Sequence, residues 1–286
     1  MRYIKEIDNK IVVSSGGRSQ TRVMVDNKFK LKDAEYIFNP NTKEIELSTG
    51  REITYKKLPE FTINERFKHL ETFVDMTIER HTNSVIICGD AGLGKSYTVM
   101  ERLDNHHLEE NEDYTVHKGY TTPKGLYSML YENRNGIIVI DDMDSVFKDS
   151  VSLNLLKAAL DSYSKRIVTW NSMGFIDDGL PKTFEFTGQI IFITNKRMND
   201  LDEAVKSRSL CVDVSMTTEE KLDRMRSVAN KILPEIKLST KLDVLSYIDE
   251  KRDCVKELNF RTFIKATAIF EATGDKRAVE YMLYNS

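Results

Sequence analysis

Cysteine is scarce in this chain. The three present, Cys88, Cys211 and Cys254, lie far apart and form no C-x-x-C pair. That count and spacing exclude a disulfide framework and a cysteine-built zinc site, and they suit a reducing compartment. Among the five histidines no pair has a convincing metal-ligand spacing. No apolar run reaches the length of a membrane span, so no membrane partner is expected. The opening Met1-Arg2-Tyr3-Ile4-Lys5-Glu6 puts charges where a secretory signal needs its apolar stretch. The expected location is therefore cytoplasmic, the host cytoplasm if the chain is viral. Charge of one sign is also lacking: the formal net charge is −3. Bulk electrostatics thus give no argument for nucleic acid, although a local basic stripe remains compatible with that balance. Repeats and low-complexity segments are absent.

What is present is an ordinary globular composition, 40% hydrophobic and 30% charged over 286 residues, enough for one large domain and a smaller one. Three segments are expected. Residues 1–56 read as a β-rich extension, with strand candidates at Lys10–Ser14 and Thr21–Val25 and a hairpin from Ala34 to Leu47 turning at Asn39-Pro40-Asn41. Residues 57–215 read as an α/β domain. A helix over 63–80 is signalled by Phe67, Leu70, Phe73, Val74 and Ile78. Apolar strands follow at Ser84–Cys88, Tyr114–His117, Gly136–Ile140, Gln189–Thr194 and Leu210–Val214, separated by helical patterns. Such continuous apolar runs imply a parallel sheet covered on both faces. Residues 216–286 read as helical only, with helices from Thr217, over Thr240–Leu258, over Phe260–Thr273 and over Lys276–Tyr284.

The chemistry is carried first by Gly89-Asp90-Ala91-Gly92-Leu93-Gly94-Lys95-Ser96, followed by Tyr97. This fits G-x-x-x-x-G-K-[ST] at every fixed position, between an apolar strand and a helical pattern. Glycines let the backbone curl so that several N–H groups face one phosphate. The helix start adds a positive end. Lys95 is expected on the β- and γ-phosphates and the Ser96 hydroxyl on Mg²⁺. ATP and Mg²⁺ are thus the expected ligands. The second element is Ile137-Ile138-Val139-Ile140-Asp141-Asp142, a buried strand ending in two carboxylates. A carboxylate there faces the ligand crevice. Asp141 is expected in the Mg²⁺ shell through water, and Asp142 is expected to orient and activate the attacking water. Helix capping by Asp142 or Asp144 is the alternative.

Together these residues resemble the AAA+ family of ring ATPases, and the resemblance can be followed from about residue 60 to the end. It implies a three-layer P-loop parallel sheet with a small C-terminal helical lid. The family usually has glutamate as the second acid; here Asp142 is one methylene shorter. The resemblance makes Asn195, ending Ile190-Ile191-Phe192-Ile193-Thr194-Asn195, the sensor-1 candidate. It makes Arg208, in Ser207-Arg208-Ser209, the arginine finger acting on a neighbouring subunit, as in clamp-loader-type members. Arg197 is a rival for that role. Arg261, in Asn259-Phe260-Arg261-Thr262, matches the sensor-2 position on a lid helix. A finger acting in trans implies a homo-oligomer, most simply a hexamer.

The downstream work divides three ways. A DNA-replication or helicase-loader-like ATPase is favoured by the Ser-Arg-Ser segment, and a protein-threading motor by the His117-Lys118-Gly119-Tyr120 loop. A nucleotide-gated switch with little hydrolysis is favoured by the aspartate at 142. Trp170, beside Lys165-Arg166, reads as packing rather than as a nucleic-acid contact.

Overall fold

Apolar runs with no polar interruption make the centre of this protein. The computed structural model describes residues 2–15, 18–32, 34–48, 60–171 and 179–285. The chain divides into two compact units, Met1–Phe61 and Thr62–Ser286. The expected boundary at 56/57, and Gly16-Gly17, which separates the first two strand candidates in the sequence, lie outside the described residues.

The first unit is built of two antiparallel three-stranded sheets. One contains β1 (Arg2–Ile7), β2 (Lys10–Ser15) and β3 (Arg18–Val23); the other contains β4 (Lys28–Leu31), β5 (Ala34–Phe38) and β6 (Ile45–Leu47). Alternation along β2 buries Ile11 and Val13 on one face, where they meet Met24, Phe29, Leu31 and Phe38. Tyr3 stacks on Phe38 with ring centroids 5.2 Å apart. The strand expected to reach Val25 ends at Val23. Asp26 and Asn27 both adopt positive φ (50° and 62°), and Val25 pairs with Lys28 across them. Two successive left-handed residues make the tight turn that suits strand twist. β1 and β4 were not among the sequence expectations.

The second unit holds one five-stranded parallel sheet in the order β13-β7-β12-β9-β8. These strands are β7 (Ser84–Cys88), β8 (Tyr114–Lys118), β9 (Ile137–Asp141), β12 (Gln189–Thr194) and β13 (Leu210–Asp213). Every residue of β7, β9 and β12 is buried. Their alternate side chains enter two separate cores. Ile86, Ile138, Ile140, Ile190 and Phe192 pack with helices α3 (Pro123–Glu132) and α4 (Ser150–Ala159) through Leu126, Leu130, Leu155 and Leu156. Val85, Ile87, Val139, Ile191 and Ile193 pack with α1 (Ile63–Ile78) and α2 (Lys95–Asn105) through Phe67, Leu70, Val74, Val99 and Leu103. Three layers result, because a parallel strand has no solvent face to spare. α1 begins with a reciprocal cap: the Thr62 hydroxyl accepts from the Glu65 amide, and the Glu65 carboxylate accepts from the Thr62 amide.

A small antiparallel pair, β10 (Ile167–Thr169) with β11 (Thr183–Glu185), stands between α4 and β12. Arg166 anchors it. Its guanidinium is buried, donates to the Ala159 and Gly188 carbonyls at 2.9 and 2.8 Å, and lies over Phe186. Trp170 packs on Tyr127 at 5.7 Å between ring centroids. Both side chains are thus part of the interior packing.

After the short α5 (Glu203–Lys206) and β13 the chain is helical: α6 (Thr218–Val228), α7 (Leu238–Glu250), α8 (Phe260–Thr273) and α9 (Lys276–Asn285). They share a core of their own, including Leu222, Met225, Leu245, Ile248, Phe263 and Leu283. The single helix expected over Thr240–Leu258 stops at Glu250, and a 3₁₀ turn follows at Arg252–Cys254. The buried stripe of Val244, Leu245 and Ile248 would need an apolar residue one turn later, where Lys251 and Arg252 stand instead.

Candidate functional site

The loop between β7 and α2 is shaped by its glycines. Gly92 and Gly94 have φ of +71° and +88°, a region that costs an L-residue energy. A Cβ on Gly92 would meet the Asn259 side chain at 2.9 Å, whereas one on Gly94 would meet nothing within 4 Å. The Gly92 carbonyl accepts from the Phe260 amide at 2.9 Å, so the loop is clasped by the first turn of α8. Asn259 caps that helix by accepting from the Thr262 amide. No side chain caps α2, whose first turn opens toward the loop.

Lys95 is 5% exposed. Its ammonium donates to the Gly89 and Asp90 carbonyls at 2.7 and 2.8 Å and to Asn195 Oδ1 at 2.8 Å. Burial pulls its pKa below the ordinary lysine value, and Asp142 and Asp141 oppose that shift. The Ser96 hydroxyl donates to Asp141 Oδ1 at 3.0 Å. Asp141 Oδ2 faces the Lys118 ammonium at 3.1 Å. Asp141 as a whole is buried.

Asp142 follows β9 with φ +55°, and its amide donates to the Ile193 carbonyl at 3.0 Å. That left-handed residue turns the chain out of the sheet, in a conformation that aspartate tolerates better than most residues. Its carboxylate accepts from Asn195 Nδ2 at 2.7 Å. Its pKa lies above the ordinary aspartate value because the surrounding protein replaces part of its water and because Asp141 is adjacent; Lys95 and Arg261 pull the other way. The cap on α4 is Asp149, and Asp144 accepts from the Thr194 hydroxyl, so Asp142 caps no helix.

Lys95, Ser96, Asp142 and Asn195 line one cavity of about 610 Å³, a usual size for a small-molecule site. Ala91 to Thr98, Asp142 and Asn195 form its floor, and Arg261 and Ile264 on α8 close one side. Phe67, Ile232 and Leu233, with the Arg224 guanidinium lying over the Phe67 ring, form a largely apolar wall that the sequence did not signal, because its members are spread over α1, α6 and the segment after α6. Tyr97 is 61% exposed at the rim.

Two expected residues lie elsewhere. The Arg208 carbonyl accepts from Ser84 Oγ at 3.4 Å, which fixes Arg208 at the N-terminal end of β7. The loop starts at the other end of that strand, about 13 Å away at the rise of a β-strand. The Arg208 guanidinium folds back to the Ala204 carbonyl at 2.8 Å. Arg197 is 86% exposed and faces Asp200 at 3.4 Å.

The phosphate-loop strand lies between β13 and β12, the acidic strand lies beyond β12, and a four-helix unit follows. The result is a three-layer α/β fold around a five-stranded parallel sheet with a helical unit after it, the architecture that the resemblance to the AAA+ family implies. No family model matches the sequence. The chain is 35% identical over 174 residues to an uncharacterized 36.7 kDa protein from the nrdC-mobD intergenic region of Enterobacteria phage T4. That match covers 56% of this chain and 53% of the relative, so the chain spans about half the length of the curated relative it matches. Among solved structures, the RuvB Holliday junction branch migration motor of Thermotoga maritima aligns with a TM-score of 0.48 and 14% identity, covering 77% of this chain and 67% of RuvB. A chain in the HORMA:CdnC:Trip13 complex of E. coli MS115-1 aligns at 0.43 and 11%, covering 80% of this chain and 93% of that one.

Proposed function

We propose that this protein is an AAA+ ATPase that binds and hydrolyses ATP with Mg²⁺ at the subunit interfaces of a ring, most simply a hexamer. The reading rests on one observation: Lys95, Asp142 and Asn195 converge on an uncapped helix start inside a cavity of about 610 Å³, with Asp141 behind Ser96. An uncapped α2 leaves N–H groups for an anion, and a hydroxyl paired with a buried carboxylate is a donor set suited to a hard divalent cation. Ser96 and Asp141 would hold the Mg²⁺, which supplies charge neutralisation between the phosphates. Lys95 exchanges its carbonyl partners for phosphate oxygens. Asp142, held by Asn195, accepts the proton of the attacking water. Arg261 reaches the same nucleotide from the lid.

Arg208 is assigned to the neighbouring subunit's nucleotide. Its place at the far end of β7 from its own loop supports action in trans, where a guanidinium stabilises charge on the transferred phosphoryl group. The deciding experiment is steady-state ATP hydrolysis by wild type, Asp142→Asn, Arg208→Ala and an equimolar mixture of the two variants. Both variants are expected to be inactive and the mixture active, since mixed rings pair an intact acid with an intact arginine. Full activity of Arg208→Ala would sink the assignment and turn attention to Arg197.

The work done by the ring is assigned to remodelling of a DNA-replication complex or another macromolecular assembly. Stimulation of hydrolysis by single-stranded DNA, falling steeply with salt, supports the DNA reading. Stimulation by unfolded protein alone replaces it with a threading motor. Tight nucleotide binding with negligible turnover replaces both with a nucleotide-gated switch.

A further inference from the structure

The Lys118 ammonium is the one cation in contact with Asp141 among the described residues. Lys95, although close, spends its three donors on two carbonyls and Asn195. A buried carboxylate needs a compensating charge, because burying it unpaired is costly. The sheet register supplies one: β8 ends at Lys118 directly beside Asp141 on β9. The two ends of this ion pair differ sharply. The Asp141 side chain is 6% exposed and fixed by Ser96, whereas the Lys118 side chain is 65% exposed. Lys118 can therefore swing into water at small cost, and Asp141 cannot follow.

What comes after Lys118 is built to move with it. Gly119 has φ +93° with nothing within 4 Å of a Cβ position. Tyr120 is 77% exposed. α3 begins only at Pro123, capped by Thr122. The Lys118–Asp141 pair is thus a visible tie between this exposed loop and the acidic strand.

We propose that Lys118 is a tethered occupant of the divalent-cation position on Asp141, exchanged for Mg²⁺ when nucleotide binds, and that its release frees residues 118–122. The inference rests on the ATP and Mg²⁺ reading and adds a direct link from that site to an exposed loop. The exchange is one of charge for charge on a single carboxylate, so the loop is held in the nucleotide-free protein and let go in the loaded one.

The test compares wild type with Lys118→Met, which keeps the aliphatic stem and removes the charge. Two quantities are read: the Mg²⁺ concentration giving half-maximal retention of a fluorescent ATP analogue, and the rate of chymotryptic cleavage after Tyr120. In wild type, cleavage is expected to be slow without ligand and slow with nucleotide plus EDTA. It should be faster with a non-hydrolysed ATP analogue plus Mg²⁺. In Lys118→Met, cleavage should be fast in all three conditions. The Mg²⁺ midpoint should fall about two- to fivefold, the range open to a pair with one solvent-exposed partner. Intact nucleotide binding with an unchanged midpoint, or wild-type cleavage indifferent to Mg²⁺, overturns this proposal and leaves the ATP reading standing. Loss of analogue binding in both proteins overturns the ATP reading and this one with it.

Discussion

Asn195 holds Asp142 by a 2.7 Å hydrogen bond from its amide nitrogen while its amide oxygen accepts from Lys95 at 2.8 Å. One side chain at the end of β12 therefore spans the phosphate-loop lysine and the acid after β9. A neutral amide can do this because it offers a donor and an acceptor on one plane. An aspartate at 195 would repel Asp142, and an alanine would leave both partners free to drift.

Asn195→Ala is expected to lower kcat about 100-fold, the scale of a positioned general base, with a change of less than about fivefold in nucleotide affinity. The pH profile should move as well. In the proposed mechanism Asp142 acts as a base only when ionised, and its pKa is already raised by desolvation and by Asp141. A hydrogen bond donated to the carboxylate favours the charged form. Removing it raises the pKa further, so the acidic limb of kcat should shift to higher pH in the variant. An unmoved limb would show that another group sets it.

The same raised pKa makes a stability prediction. A carboxyl whose folded pKa exceeds its unfolded value contributes stability that is complete below the unfolded pKa and is lost as pH rises through the folded one. Ionised Asp142 is thus a liability at neutral pH. Asp142→Asn should melt at a higher temperature than wild type at pH 7.5, and the difference should shrink as pH falls toward the ordinary aspartate range. Melting curves at several pH values decide it, and a constant difference would point to packing instead.

The phosphate loop and the acidic strand were legible because each is a contiguous segment in which residue type and order carry the geometry. β7, β9 and β12 were legible because strands covered on both faces are apolar through their middles and carry polar residues only at their ends. The Lys118–Asp141 tie was not, since it depends on which strands become neighbours, and the order β8-β9 is set by packing rather than by either segment alone. The apolar cavity wall of Phe67, Ile232 and Leu233 was hidden for the same reason. β10 and β11 are three residues each, too short for periodicity to register. β4 was concealed by its lysines, since only Phe29 and Leu31 face inward.

Gly92 and Gly94 separate strain from collision. Both need positive φ, which costs an L-residue about 1–2 kcal/mol. Only at Gly92 would a Cβ also strike Asn259, the residue that caps α8. Gly94→Ala is expected to lose about 1–2 kcal/mol in urea unfolding, and Gly92→Ala about 1–3 kcal/mol more from overpacking. Gly92→Ala should also displace α8 and with it Arg261. Equal losses for the two variants would mean that Asn259 yields without cost and that the loop and lid are less tightly joined than their contact implies.

Lys241 is the most deeply buried cation in the lid, 2% exposed, and it donates to the Ile232 and Leu233 carbonyls at 2.8 and 3.2 Å. Those two residues line the cavity proposed to hold the nucleotide, and Leu233 sits at φ +48°, a conformation that needs outside support. The ammonium on α7 braces that turn, giving the Ile232 carbonyl a donor and sharing the Leu233 carbonyl with the Ile236 amide. Lys241→Met keeps the shape of the side chain and removes its donors, leaving the half-buried Ile232 carbonyl unmatched at a cost of about 1–3 kcal/mol. Two outcomes are therefore expected together: a lower unfolding midpoint in urea, and weaker binding of ATP with kcat at saturation nearly unchanged. The pairing discriminates between roles. A lysine that served only the lid core would lower stability without touching nucleotide affinity, and a lysine that met the nucleotide directly would lower affinity without the loss of stability.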